Sequence, residues 1–360
     1  MSAARETGQS DGEVLVVGTD AGLIDDIVRL AAAVGRTPVV VADLASAGAL
    51  WRSARVAIVT ASVTSAPMAE RESVIVATYD GTESSAAWFL AHQVGAAHVA
   101  VLPDAESWLI ETLDDSSSRR RATVVSVVGT RGGAGASTLA AALAVRAGRR
   151  GLRVLLIDGD AAAGGLDLVV GAETVEGLRW RELSNRVGRL PSSLLTGSLP
   201  QRHGIHLLSH ERRGDYTVSS TSAAAVVESA RRGFDLVVID CPHSFDDVTS
   251  LLIATSDATV VLVPRDIRAV AAANRLVPTL RANEPPLLVT RAPAPGGVSA
   301  ADIGELLGLE VFAEFAIDKA LPAELERGDA PGLRDRSSVS RVADLLLDSF
   351  GAGLGWRAAS

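Results

Sequence analysis

Short runs of valine, isoleucine and leucine alternate along this chain with longer stretches whose apolar residues recur every three or four positions. The runs at 14–17, 39–41, 56–59, 74–77 and 98–102 predict strands, and Leu23, Ile27, Leu30 and Ala31 fall on one helical face between the first two. Strands and helices in alternation predict a small doubly wound α/β domain, assigned to residues 12–113. A polar run of two aspartates, three serines and three arginines follows and reads as a linker over 114–121. Beyond it the runs at 123–128, 154–157, 236–239, 259–263 and 286–289 are apolar throughout, the pattern of parallel strands buried on both faces. They predict a second, larger α/β domain over 122–352. The stretch 171–219, with Trp180, Pro191 and Pro200, is expected to form short helices and loops over one edge. In the tail Val339, Val342, Leu345 and Leu346 have helical spacing, with Asp344 and Asp348 among them. Those acids make a poor membrane anchor, because anionic lipid favours a basic face.

Composition narrows the class. At 360 residues, 48% hydrophobic and 21% charged, the chain has the length and apolar content of two folded domains. One cysteine excludes an intrachain disulfide and a cysteine-rich zinc site, which points to reducing cytosol. A net charge of −9 argues against a protein that coats nucleic acid. The uncharged run 84–103 reaches membrane-spanning length but contains His92, Gln93, Gly95, His98 and Pro103, so it reads as helix, turn and strand. No basic start followed by an apolar stretch marks a signal peptide, and a cytoplasmic location is expected. Lys319 is the single lysine, so any lysine-dependent chemistry must use it or be absent.

The strongest chemical signal follows the strand at 123–128. Gly129-Thr130-Arg131-Gly132-Gly133-Ala134-Gly135-Ala136-Ser137-Thr138 leads into an alanine-rich helical stretch. A strand, glycine-rich loop and helix in this order let backbone N–H groups and a helix N-terminus meet phosphate oxygens. In an ordinary phosphate-binding loop a lysine precedes the serine or threonine whose hydroxyl meets Mg²⁺. Ala136 occupies that place. Asp158 and Asp240 end apolar strands downstream, in the order expected of acids around a bound Mg²⁺; the bland alternative is a strand-ending cap.

Arg131-Gly132-Gly133-Ala134-Gly135-Ala136-Ser137-Thr138 resembles the deviant Walker A pattern KGGxGKST of the MinD/ParA ATPases. Leu155-Leu156-Ile157-Asp158-Gly159-Asp160 resembles that family's second motif, and the strand ending at Asp240, followed by Cys241-Pro242, its Walker B segment. The resemblance implies a P-loop NTPase domain with a mostly parallel sheet, binding ATP or ADP with Mg²⁺. Gly132, Gly133, Ala134, Gly135, Ala136, Ser137 and Thr138 would then cradle phosphate, and Ser137, Asp158 and Asp240 would surround the metal. Asp160 takes the position that orients attacking water, and Thr290-Arg291 stands where the family has an Asn-Arg pair that reads adenine. Arg131 replaces the family's signature lysine and could contact phosphate across a homodimer. With Ala136 in place of the second lysine, hydrolysis is expected to be weak or absent.

The N-terminal α/β domain and Gly177-Leu178-Arg179-Trp180 make the chain most similar to the CpaE/TadZ-like branch, and within it to actinobacterial septum site-determining proteins. That similarity implies partners at a division site or in a pilus or secretion system, with no intrinsic membrane anchor. The first domain resembles a receiver (flavodoxin-like) domain, yet Thr60-Ala61-Ser62 ends its third strand without an acceptor aspartate. Asp20 alone marks the acidic site and reads as a helix N-terminal acid, while Leu102-Pro103 replaces Lys-Pro. Aspartyl phosphorylation is not expected, and the domain reads as a docking or dimerisation surface. Two alternatives remain: a nucleotide-free scaffold, and a ParA-like DNA-binding partitioning protein using Arg179, Arg181, Arg186, Arg189, Arg212 and Arg213. Against the second, a solvated arginine face is the simpler reading. Cys241-Pro242-His243 is not taken as nucleophile and base, nor His203, His206 and His210 as a metal site.

Overall fold

A computed structural model of the chain describes residues 14–63, 73–79, 84–96, 98–115, 121–185, 190–212, 216–280 and 285–354. Residues 12–13 and 116–120 of the expected domain and linker ranges lie outside the described residues. The chain divides into two compact units, 1–119 and 120–360.

The first unit contains β1 (Val14–Val17), α1 (Ala21–Ala33), β2 (Val39–Val41), α2 (Leu44–Ser53), β3 (Val56–Thr60), β4 (Val74–Tyr79), α3 (Ser84–Val94), β5 (His98–Leu102) and α4 (Glu106–Asp115). Its five strands pair in parallel in the order β2-β1-β3-β4-β5, the order of flavodoxin-like sheets. Leu23, Ile27 and Leu30 of α1 pack with Leu109 and Leu113 of α4 on one face. Trp51 of α2 and Ala87, Leu90 and Val94 of α3 cover the other. Two-sided burial is why the inner strands β1, β3 and β4 are nearly continuous apolar runs. Asp20 caps α1, its carboxylate accepting the Leu23 amide at 3.1 Å, as its position in the sequence implied.

The second unit runs β6 (Thr123–Gly129), α5 (Ala136–Arg149), β7 (Val154–Asp158), α6 (Leu166–Val169), α7 (Trp180–Leu183), α8 (Ser192–Ser198), β8 (Gln201–Arg202), β9 (Ile205–Leu208) and α9 (Ser220–Gly233). It continues through β10 (Leu236–Cys241), α10 (Asp247–Ala254), β11 (Ala258–Pro264), α11 (Ile267–Leu280), β12 (Leu287–Arg291), α12 (Ala300–Leu307), β13 (Val311–Phe315), α13 (Leu321–Glu326) and α14 (Ser338–Leu354). The sheet order is β13-β12-β11-β6-β10-β7-β9-β8, parallel except for the β8–β9 hairpin. The segment 171–219 therefore supplies two strands as well as the expected short helices. Helices α5 and α14 cover one face and α9 and α11 the other.

The tail helix buries Val339, Val342, Leu346, Leu347 and Phe350, whereas Leu345 is 52% exposed, correcting its place in the apolar stripe. Its acids face α5 instead. Asp344 accepts Nε and Nη2 of Arg146 at 3.0 and 2.8 Å and an Arg150 nitrogen at 2.9 Å, while Asp348 pairs with Arg150. The basic last turn of α5 also matches its helix dipole. Because the Arg146 side chain is only 16% exposed and doubly bonded, Arg146→Ala is expected to lower the stability of the second unit by about 2 kcal/mol in urea unfolding. Arg150→Ala, at the more open rim, should change it by under about 1 kcal/mol.

Candidate functional site

The turn from β6 into α5 sets the geometry. Gly135, at the helix N-cap, has φ of +104°, where a side chain is strained, and a Cβ there would lie 3.6 Å from Leu262. No side chain caps the helix, so its first amides remain available to an anion. Gly132, Gly133, Ala134, Gly135, Ala136, Ser137 and Thr138 all line a cavity of about 600 Å³. Asp160, Asp240, Arg131 and Arg291 border the same space, and Phe315, Ile317, Leu321 and Pro322 give it an apolar wall.

Because β10 lies between β6 and β7, Asp240 is in register with Asp158, but of the two only Asp240 borders the cavity, which corrects the expectation that Asp158 stands at the metal. Asp240 is 3% exposed; burial pushes its pKa up to about 7, against a hydrogen bond from Ser137, and nearby Asp158 and Asp160 push the same way. Burial likewise pushes Asp158 up to about 6. Its two oxygens accept the amides of Asp160 at 3.2 Å and Leu166 at 3.0 Å, fixing the segment that carries Asp160. Gly159 passes so close that a Cβ would lie 2.7 Å from the Asp240 carbonyl. Asp160 itself accepts the Ala162 amide at 3.0 Å.

Behind Asp158 stands an aromatic bracket. The Trp180 indole donates to the Asp158 carbonyl at 2.7 Å and stacks on His210, which stacks in turn on Tyr216. Burial pushes His210 down to about 4, so the ring is neutral and its Nδ1 can accept the Tyr216 hydroxyl at 2.8 Å.

The two arginines near the loop are engaged within the chain. Arg131 donates to Asp266 at 2.8 Å and to the Gly132 carbonyl at 3.1 Å. Burial opposes charge on Asp266, yet hydrogen bonds from Arg131 and the Ala269 amide hold its pKa below the usual carboxylate range. Arg291 donates to the Gly133 carbonyl at 2.9 Å, and its buried Nε has no partner. Thr290 is fully buried with an unpartnered hydroxyl and does not border the cavity. Sequence reasoning missed Asp266 and the bracket. The signal for Asp266 was an acid before the helical run of α11, where its carboxylate caps the Ala269 amide at 2.9 Å.

The remaining signals separate. His203, His206 and His210 bond to the Val170 carbonyl, the Thr196 carbonyl and Tyr216. Arg179 meets backbone carbonyls, Arg181 pairs with Glu211, and Arg212 with buried Asp167; Arg186, Arg189 and Arg213 lie outside the described residues. In the first unit Thr60 is buried and hydrogen-bonded to Ser62 at 2.7 Å, a hydroxyl where an acceptor aspartate would stand. Among the described residues no three His, Cys, Asp or Glu side chains are grouped to hold a metal. A cation at Asp240 and Ser137 would need phosphate oxygens and water to complete its shell, which is how Mg²⁺ is commonly held. The residues present thus fit a Mg²⁺–nucleotide, with backbone amides for the phosphates.

Over 339 residues the chain is 38% identical to the uncharacterized protein Rv3660c of Mycobacterium tuberculosis, covering 91% of this chain and 95% of that one. The chain belongs to the Rv3660c-like family. Residues 17–124 match the Rv3660c-like, CheY-like N-terminal domain, and 125–242 the CobQ/CobB/MinD/ParA nucleotide binding domain. A putative septum site-determining protein MinD of Chlorella vulgaris is 26% identical over 239 residues, 64% of this chain and 84% of that one. The solved septum site-determining protein MinD of Pyrococcus horikoshii, complexed with Mg-ADP, superposes with a TM-score of 0.52 at 17% identity, covering 66% of this chain and 99% of that one. The fold is therefore a CheY-like domain followed by a P-loop NTPase domain of the MinD/ParA kind.

Asp240 provides a test. Its folded pKa lies above that of an unfolded aspartate, near 3.9, so the native state binds the extra proton and stability falls as pH rises from about 4 to about 7. Without ligand, Asp240→Asn should therefore raise Tm, by an amount that grows between pH 5 and pH 8 in thermal scans.

Proposed function

We propose that the chain is a nucleotide-responsive spatial regulator that binds ATP or ADP with Mg²⁺, forms a homodimer, and acts by positioning a partner more than by turnover. The observation that carries this reading is the uncapped N-terminus of α5 on a glycine loop, facing buried Asp240 that accepts from Ser137. When bound, Mg²⁺ would supply positive charge to the phosphates and keep Asp240 ionised. Backbone amides of Gly132 to Thr138 bind phosphate, and Asp160 takes the place of the water-orienting acid. With Ala136 in the lysine position, the site lacks one fixed charge, a deficit on the order of 10²- to 10³-fold in rate by analogy with a lost oxyanion donor. Arg131 would have to leave Asp266 to reach a phosphate across a dimer. Thr290, buried, leaves adenine reading to backbone and to the apolar wall.

The biological role follows from likeness. Relatives named for septum-site determination, together with the CheY-like domain, support a CpaE/TadZ-like protein near the actinobacterial septum site-determining group, serving septum placement or pilus assembly. No described helix is long and apolar enough to cross a membrane, so a cytoplasmic protein brought to membrane, pole or septum by its partner is the reading we adopt. A second reading, a nucleotide-free scaffold, is favoured by adjacent Trp88 and Phe89 on α3, exposed by 63% and 67%. That helix carries no Asp, Glu, Lys or Arg, so two copies of a chain with net charge −9 could meet there without like-charge repulsion.

Calorimetric titration with ATP and ADP plus Mg²⁺, with mass followed by sedimentation, separates the two. Micromolar affinity and an ATP-dependent dimer are expected, both lost in Gly135→Val of unchanged circular dichroism, with Ala136→Lys raising turnover on the order of 10²-fold. No binding at millimolar nucleotide, with a dimer dissolved by Phe89→Ser, would establish the scaffold instead.

A further inference from the structure

A second cavity, of about 580 Å³, opens in the nucleotide-binding unit between α10 and α11. Its volume is within the range of small-molecule sites. Phe245, Ile253 and Leu276 give it an apolar lining. Two observations point to a ligand. Thr130, 5% exposed, borders this cavity with a buried hydroxyl that has no hydrogen-bond partner. A buried donor without an acceptor is rare in folded proteins and calls for a partner. The charged lining, besides His243, is Asp257 and Arg275. Asp257 is already satisfied by Arg231 at 2.9 Å and by the Val124 amide at 2.8 Å. Arg275 has no ion pair or side-chain hydrogen bond among the described residues, so it leaves the cavity with an unpaired positive charge in an acidic chain.

We propose that this cavity binds an amphipathic organic anion: an apolar body between α10 and α11, its acidic group on Arg275, and an acceptor atom reaching the Thr130 hydroxyl. Nothing in this site depends on nucleotide. Thr130 adjoins Gly129 and Arg131, and His243 borders both cavities, so the ligand would lie against the back of the phosphate loop.

The probes are anilinonaphthalene sulfonate, an aromatic anion, and N-phenylnaphthylamine, its uncharged counterpart, titrated by fluorescence into the full chain without nucleotide. One saturable site for each is expected. Arg275→Gln should weaken the sulfonate at least fivefold and leave the amine unchanged, and Ala272→Trp, which fills the cavity, should abolish both. Phe89→Ser, in the other unit, should alter neither. Because Arg275 is exposed, its replacement keeps the test valid even if Ala272→Trp does not fold. Absence of saturable binding, equal sulfonate affinity in Arg275→Gln, or binding retained by a folded Ala272→Trp would each overturn the proposal.

Discussion

Two carboxylates at the ends of adjacent parallel strands, in the same register and almost fully buried, are the constraint around which the second domain is arranged. Asp158 and Asp240 come together because the chain places β10 between β6 and β7, which also brings the glycine loop to the same edge of the sheet. Desolvation opposes charge on both, the charge of Asp160 opposes it further at both, and that of Asp158 at Asp240. Asp158 is relieved by backbone amides, and in accepting them it fixes the path from Gly159 to Leu166. Asp240 has one hydroxyl, from Ser137, and keeps the higher pKa of the two. The difference gives the two acids different settings: one shapes the segment carrying Asp160, the other faces the cavity beside Ser137.

An arginine rather than a lysine at position 131 decides how the loop is held. A guanidinium offers several donors in a fixed plane, and Arg131 uses that plane to bridge Asp266 and the Gly132 carbonyl at once. Arg291 reaches the Gly133 carbonyl. The loop is thus braced by two cations whose donors point at backbone and carboxylate oxygens. With Ala136 between Gly135 and Ser137, the direct charge on phosphate rests on the helix N-terminus and whatever the arginines give up.

The fold was readable where burial is two-sided. Strands such as β6 and β10 are buried at every position and mostly aliphatic, and their limits differ from the expected ones by a residue or two. The hairpin β8–β9 was not legible, since Gln201 and Arg202 are exposed and pair only because β9 has joined β7. Likewise β13 is half-buried along most of its length and carries no continuous apolar run. Leu345 belongs by spacing to the stripe of α14, but Leu347 and Phe350 show the buried face turned past it. In the site, the glycine loop and the strand-ending acids are local patterns and were legible. The Arg131–Asp266 pair spans 135 positions, and the Trp180 bracket depends on a neutral His210 between two rings, so neither has a local signature.

The two domains illustrate the same logic with opposite results. In the CheY-like domain the strand end that would carry the acceptor has Thr60, whose hydroxyl is satisfied by Ser62, and no electrostatic demand is left over. In the second domain burial and neighbouring acids still oppose charge on Asp240, while Ala136 brings the loop no cation. Ala136 offers the rim of the site no donor side chain, whereas the buried acid keeps its raised pKa as long as the strand order is kept. Buried Asp240 beside Ser137 and a left-handed Gly135 at an uncapped helix N-terminus together offer a place for a cation next to a place for an anion, which is the reason to expect binding to outlast catalysis here.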